Sequence, residues 1–380
     1  MLNVLLTGTV SFIITYLAVP AIMKVAEEKK LYDLPDARKL HTRPIASLGG
    51  VGIFLGVFLG SLLTISYTQS SDLQFFYAAS LVIFFLGLKD DILILSPIKK
   101  FLGQMAAAAV VIHFGHVQIE SMHGFLGLNE LPKPIGIALS YATIIVVINA
   151  YNLIDGVDGL AGSLGVVTML VFGTYFHFAG MPDYSQFAWA MAGGLIAFLA
   201  FNFSPARIFM GDSGSLLLGL FNAIMVIKFI NVADSPAAAV PLSSAMAIGV
   251  SVLIVPLMDT LRVFSIRISK KRSPFSPDRN HIHHLLLDNG FSHKQVTLSC
   301  VGLNLALIAM TYFGRSFGST ALIAMMATVS GGVVATLIYF RKPAAKLVIA
   351  SSFQKNAGEP GIPSSTKVVA LKNEAAIAEK

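Results

Sequence analysis

Residues 134–179 read PIGIALSYATIIVVINAYNLIDGVDGLAGSLGVVTMLVFGTYFHFA, and this stretch decides the class of fold. An apolar run over 134–150 is followed by Asn152-Leu-Ile-Asp155-Gly-Val-Asp158, and a second apolar run over 159–179 begins at once. A helix rises about 1.5 Å per residue, so about 17–25 apolar residues cross the hydrocarbon core of a bilayer. An ionisable group at mid-membrane costs roughly 2.5–3.5 kcal/mol. Two aspartates held between two such runs therefore belong at a membrane boundary and are functional candidates. The neighbouring glycines let the chain turn sharply, so both carboxylates can face one centre. Asp158, just before Gly159-Leu160-Ala161, also reads as a helix N-cap.

The same pattern runs through the whole chain. Apolar windows lie near 3–23, 47–67, 73–89, 101–117, 134–150, 159–179, 185–203, 213–232, 238–260, 297–314 and 319–340, which predicts an all-α polytopic membrane protein of about eleven spans. The composition agrees: 55% hydrophobic and 12% charged residues in a chain of 380, with a mean hydropathy of +0.74. Residues 1–342 form the multispan domain, and 343–380 read as a solvated, partly disordered tail. All but Lys133, Lys228 and Arg315 of the 27 basic residues fall in the tail and the loops after spans one, three, seven and nine. By the positive-inside rule that side is the cytosol, the N-terminus is outside and the C-terminus is cytosolic. The net charge of +7 is then a topology signal rather than a sign of nucleic-acid binding. The first window has no basic residue before it and no small-residue cleavage site, so it is expected to stay as a span. Cys300 stands alone in an apolar segment, which excludes a disulfide framework.

Five polar clusters fall on this one face: Lys39-Leu-His41, Lys89-Asp90-Asp91, Asn152 to Asp158, Asn202 with Met210-Gly-Asp212-Ser-Gly214, and Arg279-Asn-His281-Ile-His283-His284. Adjacent carboxylates repel, so Asp90 and Asp91 call for a metal, a cation or a shared proton. Lys100 is spaced to contribute, but the acids outnumber the fixed cations near them. Oxygen ligands of this kind suit Mg²⁺, which takes one or two carboxylates together with substrate phosphates and water. The spans beginning near Gly159 and Ser213 turn their N-terminal N–H groups and positive dipole ends toward the same face, where phosphate is favoured. Asp212 could also simply cap its helix. His281, His283 and His284 lack the spacing and partner ligands of a zinc site; they suit a pyrophosphate contact or proton transfer.

In order and spacing these clusters resemble the polyprenyl-phosphate N-acetylhexosamine-1-phosphate transferases of glycosyltransferase family 4. Lys39-Leu-His41 with Pro44, Asp90-Asp91, Asp155-Gly-Val-Asp158-Gly-Leu-Ala161, Gly211-Asp212-Ser-Gly-Ser215 and His281-Ile-His-His284 each match a family segment, together over roughly residues 36–295. The His-Ile-His-His form followed by Leu285-Leu286 is similar to the WecA/TagO branch. It departs from the relatives that transfer phospho-N-acetylmuramoyl-pentapeptide. The resemblance implies transfer of a sugar 1-phosphate, N-acetylglucosamine 1-phosphate above all, from a UDP-sugar to undecaprenyl phosphate with release of UMP. That would be the first membrane step of cell-envelope polysaccharide synthesis, at the cytosolic face of a bacterial inner membrane. It implies Asp90, Asp91, Asp155 and Asp158 as catalytic residues, and Mg²⁺ or Mn²⁺ on Asp212 and Asp91. Lys39, His41, Asn152, Asn202, Arg279, His281, His283 and His284 would contact substrate. A homodimer is compatible with it. A cation-coupled transporter, the reading from another class, would place its charges near mid-bilayer on broken helices.

Overall fold

The computed structural model describes residues 1–33, 45–65, 72–235, 238–271 and 280–341, and the backbone alone of 347–351 and 366–370. The described chain is built almost wholly of helices. They are α1 (Leu2–Lys29), α2 (Gly49–Thr64), α3 (Leu73–Ile92), α4 (Pro97–Ala109), α5 (Lys133–Ile154), α6 (Leu160–Phe178) and α7 (Pro182–Asn202), then α8 (Gly211–Ala233), α9 (Ala245–Val252), α10 (Ile254–Ser269), α11 (Ile282–Asp288), α12 (His293–Phe313) and α13 (Ser319–Tyr339). A two-residue ladder pairs β1 (Tyr32–Asp33) with β2 (Ile45–Ala46). In the tail, β3 (Leu347–Ser351) pairs antiparallel with β4 (Thr366–Ala370), so this part of the segment expected to be disordered carries paired backbone.

Each apolar window meets a helix, but the windows are not equivalent. Seven helices are long and apolar enough to cross a membrane: α1, α5, α6, α7, α8, α12 and α13. The window at 238–260, expected as one span, is divided between α9 and α10, bent by 80° to each other. Pro256 explains the break, because it has no N–H to give the Val252 carbonyl one turn back. Asn304 of α12 repairs the gap, donating from Nδ2 to the Val252 carbonyl at 3.1 Å and accepting from the Val255 N–H at 3.4 Å. Counted as one span, this pair makes eight. The expected eleven are not reached on length and apolarity: α2 is shorter, α3 ends in Lys89-Asp90-Asp91, and α4 opens with Lys99 and Lys100 and runs on into a π-helical turn, Val110–Phe114.

At the centre stands α8, which touches α2, α3, α5, α6, α7 and α9. By contrast α1 and α13 lie at the rim, and side chains such as Leu2, Leu17, Leu63, Phe313 and Tyr339 are exposed on the outer surface. Water would penalise that apolar exterior, and lipid would not. Small residues draw the helices together where the core meets the polar clusters. A Cβ on Gly50 would lie 2.1 Å from the Gly214 nitrogen, and one on Gly87 would lie 2.6 Å from the Asp212 carbonyl carbon. Both contacts hold the beginning of α8 against α2 and α3.

Candidate active site

The site lies where the C-terminal end of α3 meets the N-terminal end of α8. Asp90 and Asp91 are adjacent in sequence but serve different partners. Asp91 reaches across to α8, accepting from the Asp212 N–H at 2.7 Å, the Ser213 N–H at 3.0 Å and the Ser213 hydroxyl at 2.7 Å. The first N–H groups of a helix have no internal acceptor, and its dipole favours an anion there. Gly211, at φ +73°, makes this approach possible: a Cβ on it would sit 2.8 Å from both Asp91 oxygens and 2.2 Å from the Ser47 carbonyl. The α8 N-terminus expected to receive a phosphate therefore already holds a carboxylate. Asp91, expected as a metal ligand, has both oxygens engaged in this cap, and Asp212 does not cap its own helix.

Asp90 turns the other way. Its Oδ1 accepts from the Leu95 N–H at 2.6 Å, and its Oδ2 pairs with Lys100. Lys100 Nζ also lies 2.6 Å from Asp212 Oδ2, while Asn152 Nδ2 donates to Asp212 Oδ1 at 2.8 Å and to Ser215 Oγ at 3.0 Å. One ammonium thus sits between two carboxylates, the place that the spacing of Lys100 from Asp90 suggests. Burial, helped by the hydrogen bond with Asp212, pushes the Asp90 carboxyl up to about 6 against the pull of Lys100. Burial likewise pushes Asp91 up to about 7, more than its hydrogen bonds to Ser213 lower it. Burial lowers Lys100, but Asp212 and Asp90 outweigh it and hold the ammonium above its usual range.

The loop between α5 and α6 supplies the remaining acids. Asp158 caps no helix through its side chain. It accepts from the Ala206 N–H at 3.1 Å and lies 3.2 Å from His293 Nδ1 at the start of α12, while Thr297 donates to its carbonyl at 2.9 Å. Against burial, His293 first, then the Ala206 N–H and the Ser204 side chain, keep the Asp158 carboxyl below the usual range. Asp155 has no hydrogen-bond or ionic partner among the described residues. Burial first, then Asp212, Asp91 and Asp158, push its carboxyl well above the ordinary range. Asn202, expected to contact substrate, is 4% exposed and is spent on the loops: it accepts from the Gly159 N–H at 2.9 Å and donates to the Ile208 carbonyl at 2.8 Å.

The histidine segment borders this loop. A Cβ on Gly156 would lie 2.8 Å from His283 Nε2. His283 is 2% exposed, and burial lowers its imidazole to about 3, so the ring is neutral. His281 is buried too, with Nδ1 2.8 Å from Asp259 Oδ2. Lys39, His41 and Arg279 lie outside the described residues. The sequence reading gave no role to His293 or Asp259. Their partners are remote in the chain, and no local pattern marks either residue; the spacing of Lys100 from Asp90 was the one local hint of its place.

Among the described residues no three His, Cys, Asp or Glu side chains form a chelating group. Asp155, unpaired and repelled by three neighbouring carboxylates, is nevertheless the group a hard divalent cation would relieve. A site of this kind fits Mg²⁺ that is completed by substrate phosphates and water.

Comparison with known proteins gives the family. Residues 73–230, from α3 to α8, match the model of glycosyl transferase family 4. The chain is 34% identical over 368 residues to a decaprenyl-phosphate N-acetylglucosaminephosphotransferase of Mycobacterium tuberculosis (strain CDC 1551 / Oshkosh), covering 88% of each. Its Mycobacterium leprae (strain TN) counterpart is 34% identical over 77% of this chain and 79% of its own. The undecaprenyl-phosphate alpha-N-acetylglucosaminyl 1-phosphate transferase of Escherichia coli O157:H7 is 30% identical over 78% of this chain and 80% of its own. With five aspartates gathered at one end of an apolar helix bundle and relatives matched over most of its length, the chain belongs to glycosyl transferase family 4, among the polyprenyl-phosphate N-acetylhexosamine-1-phosphate transferases.

Proposed function

We propose that this protein transfers N-acetylglucosamine 1-phosphate from UDP-N-acetylglucosamine to a polyprenyl phosphate, undecaprenyl phosphate in the first instance. An oxygen of the lipid phosphate attacks the sugar-bearing phosphorus and forms a new P–O bond. The bond from that phosphorus to the bridging oxygen breaks, UMP leaves with the electron pair, and a pyrophosphate joins sugar and lipid. The observation that carries the reading is the meeting of Asp90, Asp155, Asp212 and Lys100 at the rim of apolar helices, where a lipid phosphate and a soluble nucleotide can both arrive.

Phosphoryl transfer asks a protein mostly for positioning and charge neutralisation. Lys100 supplies a fixed cation, and Asn152 orients Asp212. Asp91 fixes the start of α8. Asp90, raised toward neutrality, can accept a proton from a lipid phosphate that arrives as the monoanion. Asp155 and Asp212 would hold Mg²⁺, which when bound offsets the charge of the phosphates and of departing UMP. His283 borders the acidic loop at Gly156, with His284 beside it, and these two histidines would contact the nucleotide pyrophosphate.

The one-sided distribution of Lys and Arg supports a cytosolic site in a bacterial inner membrane, with the N-terminus outside. Counting α2, α3 and α4 with its π-helical turn as crossings, beside the seven apolar helices and the bent pair, gives the odd number this orientation needs. The test is purified protein in detergent with Mg²⁺, undecaprenyl or decaprenyl phosphate, and a panel of radiolabelled UDP-sugars. The expected result is UMP release and a labelled lipid pyrophosphate with UDP-N-acetylglucosamine, abolished by EDTA. Turnover of another UDP-sugar alone would reject the sugar assignment, and turnover in EDTA would reject the metal.

A further inference from the structure

Outside the carboxylate site, the most complete buried polar cluster lies where α10 meets α11. Asp259 of α10 is 3% exposed, and its carboxylate is taken up by the residues that open the histidine segment. Oδ2 lies 2.8 Å from His281 Nδ1, and Oδ1 accepts from the Ile282 N–H at 2.8 Å. Arg262, one turn along α10, lies 3.3 Å from Oδ1 and also donates to the Asn280 carbonyl. An ionised carboxylate offers only lone pairs, so the hydrogen of His281 is on Nδ1. The buried Arg267 places a guanidinium nitrogen, which can only donate, 3.4 Å from Nε2, so Nε2 is the acceptor. Both ring nitrogens of His281 are therefore held by α10, from positions two turns apart.

The restraint passes onward. The His281 and His283 rings lie nearly parallel, 7° apart with centroids at 5.5 Å, and His283 rests against Gly156 between Asp155 and Asp158. The far end of α11 is tied down as well: Asn289 donates to the Leu337 carbonyl at 3.0 Å, and Arg341 pairs with Asp288 at 2.7 Å. We infer that Asp259 is a positioning residue: it fixes the tautomer and ring plane of His281 and so sets the histidine segment against the acidic loop. His281 itself, with both nitrogens engaged, is then a strut rather than a substrate ligand.

The kinetic part of the test rests on the proposed transfer reaction; the spectroscopic part does not. Solid-state ¹⁵N NMR of the full-length, histidine-labelled protein in bilayers reads the tautomer, with His281→Gln identifying the His281 signals. The expected wild-type pattern is a protonated Nδ1 and a bare Nε2. Asp259→Asn can accept at only one oxygen and should mix the tautomers, lowering kcat/KM for UDP-N-acetylglucosamine about 10- to 100-fold, as loss of an imidazole-orienting carboxylate does elsewhere. Asp259→Glu, which keeps the charge, should recover part of both. In a His281→Gln background, Asp259→Asn should cost almost nothing further. An unchanged ¹⁵N pattern in Asp259→Asn would overturn the inference, as would an equal loss of activity with and without His281. If the wild type turns over no UDP-sugar, the transfer reading fails by itself and the tautomer measurement still decides the role of Asp259.

Discussion

The aspartates of the site look alike in sequence and differ in what each would lose. Asp91 satisfies the α8 N-terminus with both oxygens, so Asp91→Asn, which turns an amide N–H₂ toward those donors in place of one oxygen, should lower stability by about 1–3 kcal/mol along with activity. Asp155 has no partner to lose among the described residues, and its raised carboxyl means that ionising it near neutral pH costs stability. Asp155→Asn should therefore leave the unfolding midpoint equal or higher at pH 7.5 while reducing kcat about 10²- to 10³-fold. Thermal unfolding and turnover measured on the same preparations separate the two variants. His283 makes a second prediction. Its folded value near 3 lies below the ordinary 6.5, so below about pH 6.5 the unfolded chain binds a proton that the folded protein refuses. Stability is complete above that pH and falls as pH drops toward 3. Between pH 7 and pH 5 the wild-type midpoint should decline, and His283→Gln should decline less; parallel curves would refute a buried neutral ring.

At the scale of elements, the site depends on how closely α3 and α8 approach. Gly87 sits one turn before Asp90 and Asp91, and its missing side chain admits the Asp212 backbone. Gly87→Ala asks two backbones to separate, an overpacking cost of about 1–3 kcal/mol. The separation would also pull Asp91 from the α8 N–H groups and Lys100 from Asp212. The expected outcome is a lowered midpoint with at least a 10-fold loss of kcat. The control is Gly302→Ala on α12, where a Cβ meets nothing within 4 Å and neither quantity should change. The same scale accounts for the broken ninth window. Hydropathy registers a proline as one more residue of an apolar run, whereas the backbone registers a missing donor that Asn304 has to cover from another helix.

For the whole molecule, orientation is the statement to test. Ser96 stands just before α4, and Asn129 follows α4 and its π-helical turn in the loop before α5, so one proposed crossing separates them. With Cys300 changed to Ser, a cysteine at 96 should react with an impermeant thiol reagent only after the membrane is opened, and one at 129 should react in intact cells. Labelling of position 96 in intact cells would invert the topology and remove the site from the cytosolic face. The apolar rim and the enclosed α8 fit a bundle whose site aspartates gather at one end, where both substrates of the proposed reaction could meet.

The sequence alone determined the membrane class, because a run of apolar residues long enough to cross lipid has no other stable arrangement of its backbone. It also singled out Asp90, Asp91, Asp155, Asp158, Asp212 and the histidine segment as candidates, since ionisable groups at such boundaries are costly, but it passed over Asp259 and His293. Most helix positions followed from those same runs. What remained to the tertiary structure was the division of labour among chemically identical side chains. Asp91 became a helix cap, Asp90 and Asp212 became partners of Lys100, Asp158 faced His293, and Asp155 was left without a partner among the described residues. Asn202 became a brace for two loops, and His281 a strut held by Asp259. Each of these outcomes depends on which atoms meet across helices far apart in the chain, and local pattern carries no record of that.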